Sequence, residues 1–170
     1  GMFDGVHRGH RSVLDLAIEQ AGSFSGSGVA LTFPQHPAGF LRPGKEPPLL
    51  MSAMEKAESL LSAGMDAVIL QPFDQLLSSL EAEQFLPFLS EHIPSLTAIT
   101  VGENFRFGKN RKGDSAMLEE LGLEHGLKVK VAPSLVLDDS PVSSSRIRHA
   151  LSEGNIKEVN QMLGRPYKVS

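Results

Sequence analysis

The sequence predicts an α/β fold built on a mostly parallel sheet, and two observations predict it. Apolar runs of strand length, at residues 29–33, 67–70, 98–102 and 129–132, alternate with stretches of helical period at 52–63, 81–92 and 115–125. A glycine-rich turn at the start also runs directly into a helical pattern, as in a strand-turn-helix unit.

Taken in order, residues 1–9 read as the turn after a strand, yet no strand precedes them. Either the chain was cut at this motif, or Gly1 is a cloning remnant before an initiator Met2. A helix is expected to start near Gly9 and to continue through Val13, Leu14, Leu16, Ala17 and Ile18. After the strand at 29–33, residues 34–48 are rich in Pro and Gly without apolar period. They read as a loop longer than connection requires, which is either functional or a plain surface excursion. Ser52 followed by Glu55 is a capping box opening the helix at 52–63, and Gly64 sits where that helix should stop. Near the end, 143–152 and 155–163 read as two short helices separated by Gly154, and no internal repeat or low-complexity tract is visible.

A chain of 170 residues fits one domain with a substantial core. The absence of cysteine excludes disulfides and thiolate zinc sites, and it suits a reducing cytoplasm. No apolar run approaches a membrane span and no signal peptide is recognisable, so no membrane association is expected. The formal charge of -4 argues against a broad nucleic-acid surface and leaves any polyanion to local cationic clusters. Two such clusters exist: Arg106, Lys109, Arg111 and Lys112, then Arg146, Arg148 and His149. Solvated surface charge is the alternative reading of both.

The chemistry-bearing stretch is Asp4-Gly5-Val6-His7-Arg8-Gly9-His10. Glycines permit close backbone approach to a ligand, and the N-terminus of a helix presents free N–H groups and a positive dipole end to phosphate. His7 and His10, three residues apart at a helix start, can face the same side and donate to phosphate oxygens as charge builds. Capping or surface histidines, a metal-binding pair, or a solvated turn remain alternatives at this level.

With Phe3 before Asp4 and glycine between the histidines, the stretch resembles the histidine signature of the nucleotidyltransferase superfamily. More narrowly, nearly the whole chain resembles the FAD synthetase module of bacterial bifunctional riboflavin kinase/FMN adenylyltransferases. Thr32-Phe33-Pro34-Gln35-His36-Pro37 is similar to that family's Thr-Phe-x-Pro-His-Pro, with the first proline displaced by one place. Val101 to Gly108 resembles its Gly-x-Asp/Asn-Phe-x-Phe-Gly segment. Val142-Ser143-Ser144-Ser145-Arg146-Ile147-Arg148 resembles Ile-Ser-Ser-Thr-x-Ile-Arg, with Arg146 at the variable place. Leu163 to Tyr167 is similar to the junction at which the family's riboflavin kinase module begins.

The resemblance implies a Rossmann-like sheet of nucleotidyltransferase type, its first strand missing from the chain. Residues 1–163 would form the transferase domain, and 164–170 the start of a linker toward a C-terminal riboflavin kinase domain in a longer parent. It implies transfer of AMP from ATP to FMN, giving FAD and pyrophosphate, with Mg²⁺ and in the cytoplasm; kinase activity is not assigned to this polypeptide. It places His7, His10 and Arg148 in catalysis. Phe3, Asp4, Gly5, Gly9, Asn104, Arg111, Ser143, Ser144 and Ser145 fall to ATP, and Phe33, His36 and Pro37 to the flavin. No residue is assigned to a metal. Another adenylyl- or cytidylyltransferase, or a nucleotide-binding fragment without turnover, is the alternative.

Overall fold

The structure, a computed structural model, describes residues 1–168. In chain order it contains α1 (Arg8–Ser23), β1 (Val29–Thr32), α2 (Pro37–Leu41), α3 (Ala53–Ser62), β2 (Ala67–Leu70), α4 (Gln75–Ser79), α5 (Phe85–His92), β3 (Ala98–Gly102), β4 (Arg106–Phe107) and β5 (Gly113–Asp114). There follow α6 (Ser115–His125), β6 (Lys128–Ala132), β7 (Val136–Leu137), β8 (Ser140–Pro141), α7 (Ser144–Ser152) and α8 (Ile156–Leu163), with short 3₁₀ turns at Ala82–Gln84 and Lys109–Arg111.

The four strands expected from apolar runs are β1, β2, β3 and β6. The capping box of α3 is formed in both directions: Ser52 Oγ accepts the Glu55 N–H at 3.3 Å, and the Glu55 carboxylate accepts the Ser52 N–H at 2.8 Å. Gly64 then leaves the helix at φ +102°, a conformation that a side chain would oppose.

Two local expectations need revision, and three small elements were not expected. The loop 34–48 contains α2, because Pro37 supplies a preset φ at the first helical position and the His36 ring accepts the Ala38 N–H at 3.1 Å. The helix expected over 81–92 is broken into a 3₁₀ turn and α5. Pro87, in the first turn of α5, has no N–H to carry the α-helical ladder back toward Glu83. The five-residue α4, capped by Asp74, and the hairpins β4–β5 and β7–β8 are too short to leave a period in the sequence.

β1 and β2 pair in parallel from Val29 opposite Ala67 to Thr32 opposite Leu70, and β3 and β6 from Ala98 opposite Lys128 to Gly102 opposite Ala132. Among the described residues these are two separate ladders, not one continuous sheet. Helix α1 joins them. It packs on β3 and β6, while its Leu14 shares a core with Ala30 of β1 and Leu60 of α3. A second core, around Leu86, Phe107 and Leu118, lies between α5, α6 and β3; a third, around Ile147, Val159 and Met162, holds α7 to α8. The C-terminal end of β1 meets the first loop, through Thr32 against Met2, and that of β3 meets the N-terminal half of α1, through Gly102 against Val13. Ligands of open parallel sheets bind beyond such strand ends.

The seam between α6 and β6 is close enough to invert an ordinary preference. Alanine inside a helix is normally favoured over glycine by about 1 kcal/mol. At Gly122, however, a Cβ would lie 2.5 Å from Val129 Cγ2 and 2.9 Å from the Leu127 carbonyl oxygen. Gly122→Ala should therefore lower stability by about 1–3 kcal/mol in denaturant unfolding, the usual cost of overpacking. A gain in stability would show that the seam is looser than this.

Candidate active site

The first loop is backbone-strained and heavily anchored. Phe3, Gly5 and Val6 all have positive φ, at +49°, +83° and +38°. For a β-branched residue such as Val6 this costs about 1–3 kcal/mol and persists only where the surroundings dictate it. Here they do. The buried Asp4 carboxylate accepts the Leu50 N–H at 3.0 and 3.2 Å and pairs with the Arg148 guanidinium. Ser144 Oγ donates to the Asp4 carbonyl at 2.8 Å, and Arg165 donates to the carbonyls of Gly5 and Val6 at 2.8 and 3.2 Å.

The loop delivers His7 to the N-cap of α1, where its Nδ1 accepts the His10 N–H at 3.2 Å. That bond fixes the tautomer: the proton of the neutral His7 ring sits on Nε2, which remains a donor. The two imidazoles stack with centroids 3.6 Å apart and planes 15° from parallel, and the Phe3 ring meets His10 edge-on at 5.2 Å. Gly9 makes the packing possible, since a Cβ there would lie 3.2 Å from the His7 ring and 3.3 Å from the Val142 carbonyl oxygen. Burial is the main force holding both rings neutral. It lowers His7 to about 4, with Arg165 adding to the effect, and it lowers His10 well below the usual value, with His7, the chain amine and Lys56 adding to it. His10 Nδ1 is buried without a partner among the described residues.

The serine motif arrives at the same place. Ser143 caps α7 through the Arg146 N–H at 3.2 Å, Ser144 is engaged by the Asp4 carbonyl, and Ser145 is exposed on the first turn. Arg148 points back to the loop, with Nε on the Pro48 carbonyl at 2.7 Å. Arg146 is an internal brace: it bonds Glu158 at 2.8 and 2.9 Å and the carbonyls of Leu137 and Ser140 at 2.7 and 2.9 Å. Asn104 is exposed and donates to Ser134 at 2.9 Å. In the basic stretch, Lys109 and Lys112 share Glu81, whereas Arg111 is exposed and outside any ion pair among the described residues.

On the β1 side, a cavity of about 260 Å³ is lined by Pro34, Gln35, His36, Phe40, Pro72 and Phe73. Phe33 and Phe40 both present edges to Phe73, at 5.5 and 6.0 Å, while Pro37 begins α2 beside the lining. His36 is lowered by burial first, then by the charges of Arg148, Lys56 and Arg111 against the opposing Asp4. Phe40, Pro72, Phe73 and Arg165 are absent from the residues read as functional in the sequence. Pro72 and Phe73 could have been found, because they directly follow the strand at 67–70. His7 also borders a larger cavity, about 620 Å³, with Arg8, Arg11 and Arg165. Among the described residues no three His, Asp or Glu side chains converge as a metal cage.

The sequence pattern of the FAD synthetase family matches residues 1–146. The chain is 31% identical over 170 residues to a bifunctional riboflavin kinase/FMN adenylyltransferase of Escherichia coli (strain K12), covering 100% of this chain and 54% of that protein. It is 32% identical over 170 residues to the protein of the same name from Pseudomonas fluorescens, with the same coverage of 100% and 54%. It thus spans about half the length of the curated relatives it matches. A crystal structure described as a macrolide-efflux protein from Streptococcus pneumoniae is similar with a TM-score of 0.79 and 26% identity, over 98% of this chain and 63% of that one. No helix among the described residues is long and apolar enough to cross a membrane.

Two outcomes follow from this geometry. Because His7 titrates near 4 when folded and near 6.5 when unfolded, the unfolded chain binds more protons between those values. Stability should fall as pH drops from about 6.5 to about 4, by roughly 3 kcal/mol from His7 alone, and His7→Gln should flatten that slope in denaturant titrations. Arg146→Lys should lower the melting temperature in a thermal scan, since its contacts all brace α7 against α8 and the β7–β8 hairpin.

Proposed function

The chain belongs to the FAD synthetase family, and on that premise we propose that it transfers AMP from ATP to FMN, releasing pyrophosphate and leaving FAD. One observation carries the reading: the N-termini of α1 and α7 meet at Asp4 and Gly9, and the aromatic cavity lined by His36 lies within the field of Arg148, Lys56 and Arg111. Helix N-termini and cations suit phosphates, and aromatic walls suit a flat ring system.

In this mechanism an FMN phosphate oxygen attacks the α-phosphorus of ATP in line. The new P–O bond forms as the bond to the bridging oxygen breaks, and that electron pair leaves with pyrophosphate. The nucleophile is already anionic, so no general base is required and catalysis rests on positioning and charge stabilisation. His7 donates from Nε2, the proton position set by its capping bond. His10, stacked beneath it, supplies the second imidazole, and the α1 N-terminus adds backbone N–H groups. Arg148 and the Ser143 to Ser145 turn face the nucleotide phosphates. Asn104 and Arg111 flank the nucleotide, and Gly5 and Gly9 allow its close approach. Phe3 and Asp4 serve it indirectly, by supporting the His10 ring and orienting Arg148. Phe33, His36 and Pro37 hold the flavin side, joined by Phe40, Pro72 and Phe73.

Mg²⁺ enters as part of the ATP substrate, which it commonly accompanies on phosphate oxygens and water. Both Asp4 oxygens are engaged by Leu50 and Arg148, so they are poor candidates for a protein-held ion. Residues 1–163 form the transferase domain in this reading, and 164–170 lead toward a kinase module of a longer cytoplasmic parent; residues 169–170 lie outside the described residues.

Incubation of the purified chain with ATP, Mg²⁺ and FMN should yield FAD and pyrophosphate in equal amounts by chromatography. Riboflavin in place of FMN should yield no FAD, because it has no phosphate to attack with. His10→Ala should reduce kcat by about 10²- to 10³-fold while ATP affinity changes far less, as expected for a donor that acts on developing charge. Wild-type protein that binds both substrates and forms no FAD would refute the assignment.

A further inference from the structure

Lys56 is a fully buried lysine that the mechanism above does not use. It lies in the first turns of α3, is 1% exposed, and is the largest of the fully buried side chains. Lysine is almost never buried this completely unless its ammonium is satisfied. Nζ donates to the Phe33 carbonyl at 2.6 Å and to the Met2 carbonyl at 3.2 Å. One acceptor opens the histidine loop; the other directly follows β1 and precedes the cavity-lining Pro34, Gln35 and His36. A helix surface would ordinarily carry such a residue into solvent, and here it is inserted between two chain segments that bear different substrate contacts.

We propose that Lys56 is a positioning residue that sets the histidine loop in register with the flavin-side cavity, so that the two substrates meet in line. The inference rests on the FMN adenylyltransfer reading and deepens it. Its ammonium is a strut with two different ends. Met2 has a second holder, since Thr32 Oγ1 donates to the same carbonyl at 2.9 Å; among the described residues the side chain that donates to the Phe33 carbonyl is that of Lys56. Loss of the strut therefore frees chiefly the flavin-side segment relative to the histidines. The same charge, with that of Arg148, outnumbers the single carboxylate of Asp4, and it is felt at both His10 and His36. A site that must receive two phosphorylated substrates thereby gains positive charge from a residue that does not itself reach into the substrate space.

The test compares Lys56→Met, which keeps the chain length and removes the donor, with Lys56→Gln, which retains an uncharged donor. Displacing reacting groups by about 1 Å typically costs about 10²-fold in rate. Lys56→Met should lower kcat by about that factor while calorimetric ATP affinity changes by less than about threefold, and Lys56→Gln should recover part of the loss. A residue that merely stabilised the fold would lower the melting temperature and leave kcat intact below it. In case neither variant folds, wild-type protein labelled with ¹⁵N-lysine provides a second measurement. The protected Lys56 ammonium resonance should shift on adding FMN alone and again on adding ATP. Variants with wild-type kcat, or an ammonium resonance that ignores both substrates, would overturn the proposal. Absence of FAD from the wild type would instead count against the underlying reaction.

Discussion

The site is organised around one buried carboxylate. Asp4 is 1% exposed, and an ionised carboxylate at that depth is tolerable only with strong partners. It has the Leu50 N–H and the Arg148 guanidinium, and its own main-chain carbonyl is taken by Ser144. Three segments far apart in sequence are thereby fixed to each other: the first loop, the chain before α3, and the start of α7. Removing one partner of such a pair usually costs about 3–5 kcal/mol, because the remaining charge is stranded. The strained φ values at Phe3 and Val6 become intelligible in this light. The loop cannot relax without releasing Asp4.

The electrostatic character of the site follows from the same packing. Burial keeps both histidines neutral, and the nearby cations push in the same direction. The rings therefore begin as hydrogen-bond donors without charge, in surroundings already biased toward anions by Lys56 and Arg148. An anion placed beside an imidazole favours its protonated form, so a phosphate in this position would raise both rings from the values that burial gives them.

Much of the fold was legible because it is local. The four apolar runs, the Ser52 and Glu55 box and the serine-capped α7 all depend on neighbours within a few residues. The histidine motif was legible for the same reason. What could not be read were contacts across long separations. The motif assigns Arg148 to phosphates, but nothing local announces its grip on Asp4 and Pro48. Arg146, at the motif's variable place, turns out to be a brace with four bonds to three protein acceptors. Lys56 follows a capping box on a helix, a setting in which lysine is normally solvated, and only the closure of α3 over Met2 and Phe33 reveals its burial.

Arg165 adds a mechanical aspect to this architecture. It lies just beyond the left-handed turn at Gly164 that ends α8, yet its guanidinium holds the carbonyls of Gly5 and Val6. Tyr167 is itself tied to α8, its N–H donating to Asn160 Oδ1 at 2.7 Å, so the stretch just beyond Gly164 is fastened to the histidine loop by Arg165 and to α8 by Tyr167.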